Sequence, residues 1–135
     1  MTKKFAGVPL KVGLKGAAKC DVGTAAGTVA AGDDSRFGLM IGVGQTWQDV
    51  TGNRALSVTY TNSTGKPIMV FVSVTVNATS PSSILSVNNV SVSIAAGSSW
   101  PTNFIMRGVL VTIVPAGATY RVDGGYSLSN WSELR

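Results

Sequence analysis

Histidine is absent from this 135-residue chain, which holds one cysteine, Cys20, and one glutamate, Glu133. The missing histidine removes the Ser-His and Cys-His dyads of covalent catalysis and any Cys/His metal cluster. A lone cysteine excludes an intramolecular disulfide. Carboxylates are scarce as well. Asp33 and Asp34 are the one adjacent acidic pair, and they lie beside Arg36 in a Gly/Ala-rich stretch, where a turn or an Asp34 to Arg36 contact outweighs a hard-cation site. Asp49 and Asp123 would serve as a glycosidase's two carboxylates only if folding brought them together, and the sequence gives no sign of that. No catalytic residue, metal or cofactor is therefore expected, and the chain reads as non-enzymatic.

A long apolar run is missing too. Two lysines follow Met1, but the apolar residues after them are interrupted by Lys11, Lys15 and Lys19, so neither a signal peptide nor a membrane span is expected. Those three together with Lys3 and Lys4 put five positive charges and no acid in the first twenty residues, whereas six basic and six acidic side chains balance over residues 21–135. The net charge of +5 thus belongs to an N-terminal arm. That arm has no arginine and one aromatic, Phe5, so neither bidentate phosphate recognition nor base stacking is suggested, and nucleic acid is not expected as a partner. A solvated arm, or one that docks on an acidic protein surface, fits better.

The sequence divides into an extended arm and linker over residues 1–40 and a β domain over residues 41–135. In the linker Gly23, Gly27 and Gly32 interrupt an alanine-rich stretch, each costing a helix about 1 kcal/mol relative to Ala. Beyond Met40 the apolar residues repeat every second position. Leu56, Val58 and Tyr60 alternate with smaller residues as a half-buried strand, and the turn chemistry of residues 62–66 follows. Ile68, Val70, Val72, Val74 and Val76 then share one face. Leu85 and Val87 meet Val90, Val92 and Ile94 across Asn88-Asn89, two residues able to take the positive φ of a two-residue hairpin. A short strand over residues 104–106, alternation over residues 109–114, a turn at Pro115, a strand at Tyr120 and Val122, a turn at Asp123-Gly124-Gly125 and a last strand complete the chain. Seven or so short strands without an amphipathic helix predict an antiparallel β-sandwich or jelly-roll-like domain. With so much Val and Ile and so few charges on its edges, such a domain is expected to assemble with itself. Trp47 and Trp131 are expected to cap the core or to lie in subunit contacts, while Trp100, before Pro101 in a Ser-rich loop, is a candidate ligand-stacking ring.

Two sets of residues resemble bacteriophage tail fibre proteins. GTAAGTVAAGDDSRF, residues 23–37, is similar to segments that join fibre domains. GQTWQDVTGNRALSVTYTNSTGKPI from Gly44, IVPAGATYRV from Ile113 and LSNWSELR from Leu128 are similar, in order and spacing, to the terminal β domain of such fibres. The resemblance implies a homotrimeric virion appendage, made in the host cytoplasm, whose distal domain binds a host polysaccharide or outer-membrane protein. In fibres the variable part lies between the shared motifs. Receptor contacts are accordingly expected in the loops at residues 77–83, 88–89 and 98–103, with Asn77, Ser80, Asn88, Asn89, Ser99, Trp100 and Asn103 as candidates. Lys3, Lys4, Lys11, Lys15 and Lys19 would attach the chain to other tail proteins. The competing expectation is a structural decoration, collar or tail protein with no receptor role.

Overall fold

The computed structural model describes residues 20–32, 34–96 and 104–135. The five arm lysines lie outside the described residues, as do Ser99, Trp100 and Asn103. The chain divides into two compact units, Met1–Arg36 and Phe37–Arg135.

In the first unit the Gly/Ala-rich linker is partly ordered by backbone pairing. Strands β1 (Val22–Gly23) and β2 (Val29–Ala30) run parallel, and Val29 N–H donates to the Asp21 carbonyl at 2.9 Å. Asp34 is buried and accepts from Arg36 Nε at 2.8 Å, the contact expected from the sequence. These hydrogen bonds, first from the Arg36 side chain and then from its backbone, hold the Asp34 carboxyl below the usual range.

The second unit is an antiparallel β-sandwich. Its strands are β3 (Trp47–Asp49), β4 (Tyr60–Thr61), β5 (Ile68–Asn77), β6 (Ser82–Val87), β7 (Val90–Ala96), β8 (Ile105–Val114), β9 (Thr119–Gly124) and β10 (Ser127–Leu134). One sheet has the order β3-β10-β5-β8 and the other β4-β9-β6-β7. The period-two pattern of β5 buries Ile68, Val70, Val72, Val74 and Val76 at alternate positions along its whole length. Against them pack Leu110 and Val114 of β8, Trp131 of β10, Leu85 of β6, and Tyr120 and Val122 of β9. This core of Val and Leu is closed at one end by aromatic rings: Tyr60, Tyr120 and Trp131 stand with centroids 5.8 to 6.3 Å apart in tilted and edge-on pairs.

Two expectations change. Residues 55–60 do not form a strand; only Tyr60 and Thr61 pair. Ser57 takes φ +62°, its N–H donates to the Val122 carbonyl at 2.7 Å, and the Tyr60 hydroxyl accepts from Ala55 N–H at 2.9 Å. The apolar alternation there serves a bend that brings Arg54 and Tyr60 to the core edge. Residues 104–106 and 109–114 are not separate strands, because β8 runs continuously beside the ten residues of β5. Trp131 is fully buried, as a core residue should be, whereas Trp47 is 53% exposed on the outer face of its sheet.

Candidate functional site

The Asn88-Asn89 turn adopts the left-handed conformation its residues allow, with φ of +47° and +64°, and joins β6 to β7 as a hairpin. Asn88 is consumed in fixing that tip. Its backbone N–H donates to the Thr119 carbonyl at 2.9 Å, and its side-chain Oδ1 accepts from Thr119 N–H at 2.9 Å and Thr119 Oγ1 at 3.2 Å. The hairpin is thereby stapled to the start of β9, and Asn89 is left exposed beside it.

Along β9, Tyr120 and Val122 point into the core, so Arg121 and Asp123 point out. Register pairing sets Ser86 of β6 opposite Arg121. Thr59, Ser86, Asn89, Thr119, Arg121 and Asp123, together with Tyr120, line a groove of about 220 Å³. In it Arg121 Nε donates to Asp123 Oδ1 at 2.6 Å, and both side chains remain partly exposed. Three hydroxyls, an amide, a guanidinium and a carboxylate thus converge on one polar face. The Tyr120 ring is turned inward to the core, so the groove offers hydrogen-bonding groups and no stacking ring. Such a set of fixed donors and acceptors could hydrogen-bond a ligand rich in hydroxyls.

Of the other predicted contacts that lie among the described residues, Asn77 and Ser80 do not join it. Asn77 is committed to its own loop: Oδ1 accepts from Thr79 N–H at 3.0 Å, Thr79 Oγ1 at 2.9 Å and Ser80 N–H at 2.8 Å. Asn77 and Ser80 precede β6 while Asn88 and Asn89 follow it, so a strand of roughly 20 Å separates the two loops. The two described loops therefore lie at opposite ends of β6. Sequence reading missed Ser86, Thr119, Arg121 and Asp123. The signal was present: if Tyr120 and Val122 face the core, their alternating neighbours share the opposite face.

Asp49 and Asp123 belong to different sheets and face away from each other, so they form no catalytic pair. Among the described residues no group of three or more Cys, Asp or Glu side chains could hold a metal ion. Glu133, by contrast, is wholly buried and saturated with donors. Its Oε1 accepts from Tyr120 OH at 2.7 Å, Arg54 Nε at 2.9 Å and Trp131 Nε1 at 3.1 Å, and its Oε2 from Arg135 Nη1 at 2.8 Å and Arg54 Nη2 at 3.0 Å. Arg54 in turn lies over the Tyr60 ring at 4.5 Å. Because Tyr120 belongs to one sheet and Glu133 to the other, the cluster is a polar clasp between the layers. Burial alone would push the Glu133 carboxyl up, but hydrogen bonds from Arg54 and Tyr120 and the charges of Arg54 and Arg135 bring it below the usual carboxylate range.

No protein-family model matches the chain, and neither a search of curated proteins nor one of solved structures finds a match.

Proposed function

We propose that this chain is a phage tail fibre or tail tip component that binds a surface polysaccharide of its host through the groove at Asn89, Arg121 and Asp123. The observation that carries the reading is the convergence of these groups with Ser86 and Thr119 on one exposed sheet face, next to the hairpin at which the tail fibre resemblance places receptor contacts. A rigid strand-borne site of hydroxyls, amide and ion pair suits a sugar, whose hydroxyls match fixed donors and acceptors.

Labelled protein should adsorb saturably to some strains of a bacterial panel, and soluble polysaccharide from those strains should compete. Arg121→Ala removes a charge-assisted donor worth about 1.5–3 kcal/mol, so adsorption should weaken by roughly 10- to 100-fold without loss of fold. Strain-independent or absent adsorption by folded protein would defeat the proposal and favour a structural tail or collar component. Adsorption unaffected by Arg121→Ala would move the site away from the groove.

A further inference from the structure

Next to the polar groove the same sheet face turns apolar. Residues in register across antiparallel strands share a face. One outward row reads Arg121, Ser86 and Ser91 across β9, β6 and β7, and the next reads Asp123, Ile84 and Ile94. Beyond that row stand Ser82 and Ala96, both small. Ile84 lies between the buried Ser83 and Leu85, so its own side chain points outward, where it is half-buried, and Ile94 beside it is 61% exposed. Two isoleucines thus border the Asp123 end of the groove, the first at the ~5 Å of a cross-strand pair and the second one strand further.

Charge in the groove is already balanced. Arg121 Nε and Nη2 both lie 2.6 Å from Asp123 Oδ1, which leaves Oδ2 to accept from a ligand hydroxyl. Among the described residues no other charged side chain lines the groove. A sugar bearing a carboxylate or phosphate would have to part Asp123 from Arg121 and then face the like charge of Asp123. The volume of about 220 Å³ lies below the roughly 300–1,000 Å³ that hold a drug-sized ligand, so there is room for one sugar unit of a chain. Resting on the groove reading above, we propose that this unit is a neutral sugar carrying a methyl group, either at a deoxy position or in an acetyl substituent. Its hydroxyls are held by Asn89, Arg121 and Asp123, and its methyl lies on Ile84 and Ile94. A fully hydroxylated sugar in the same place would cover the isoleucines with groups that lose water and gain no partner.

Binding of the full chain to immobilised glycans tests it. The panel sets 6-deoxyhexoses against their parent hexoses, O-acetylated polysaccharide against the same material after mild alkaline deacetylation, and both against uronic acid polymers. The methyl-bearing member of a pair should bind about 4-fold tighter or more, and the pair that shows the difference identifies the source of the methyl. Ile94→Ser, at an exposed site, should at least halve that preference, and adding Ile84→Thr should abolish it, while Ile94→Leu should keep it. Equal or tighter binding of fully hydroxylated or acidic glycans overturns the inference, as does a preference that neither isoleucine substitution changes. If Arg121→Ala still weakens binding in those cases, the groove reading stands without the methyl contact. No glycan binding by folded protein defeats both.

Discussion

Glu133→Ala should destabilise the sandwich by about 3–5 kcal/mol in equilibrium urea unfolding. The substitution removes the acceptor shared by Arg54, Tyr120 and Trp131, and a guanidinium is left partly buried without its carboxylate. Much of the loss comes from those stranded donors and less from the missing attraction itself, because a buried ion pair roughly balances its own desolvation. Glu133→Gln should therefore cost less than Ala, since an amide oxygen still accepts from Tyr120 and Trp131. An Ala variant within about 0.5 kcal/mol of wild type would show that the clasp contributes nothing.

The same cluster contributes to both ends of the pH–stability curve. Glu133 has a lowered carboxyl pKa in the fold, so its contribution is complete above the unfolded value of about 4.3 and disappears as pH falls through the folded value. Tyr120 shows the reverse. Burial, with the hydrogen bond to Glu133 and its charge, pushes the phenol up to about 12, so the folded state holds that proton more tightly. Stability is complete below the unfolded value of about 10 and falls by about 3 kcal/mol as pH rises through 12. Glu133→Gln should flatten the acid limb and Tyr120→Phe the alkaline limb, as measured by unfolding at a series of pH values. An alkaline limb unchanged by Tyr120→Phe would remove that phenol from the explanation.

Gly124→Ala should cost about 3 kcal/mol or more, against about 1 kcal/mol for Gly117→Ala. Both glycines hold φ near +75°, a conformation that disfavours any residue with a Cβ. They differ in what a methyl would meet. At Gly117 nothing lies within 4 Å, whereas at Gly124 the added Cβ would stand 2.4 Å from the Ser82 carbonyl oxygen, which belongs to backbone and cannot swing aside. That oxygen accepts from Gly125 N–H at 2.8 Å, at the corner where the chain leaves one sheet for the other. Equal melting temperatures for the two variants would mean that the corner relaxes freely.

What could be read from the sequence was local. The Asn88-Asn89 hairpin depends on two neighbouring residues, and the burial of β5 depends on a period of two, so both are written in short stretches of chain. The sandwich follows from the count and spacing of such stretches. What escaped depends on the face a strand presents. Glu133 lies two residues from Trp131 and must share its side of β10, yet only the burial of Trp131 reveals that the carboxylate is interior. Arg121 and Asp123 were hidden by the converse step. The bend at Ser57 escaped because its hydrogen-bond partner, Val122, is remote in sequence.

The sheet order also schedules the birth of the domain. Among the described residues β3 has one neighbour in its sheet, and that neighbour is the last strand. Thr51 Oγ1, just after β3, accepts from Trp131 N–H, 80 positions further along the chain. At a ribosome adding 5–20 residues per second, the segment carrying Trp47 waits on the order of 4–16 s for the strand that will hold it. During that interval β5 and β8 can zip together, but the central slot between β3 and β5 stays empty and its flanking edges stay unpaired. Synthesis thus leaves a window in which nascent chains can exchange this one strand, and the interval closes only with the arrival of Trp131 and Glu133.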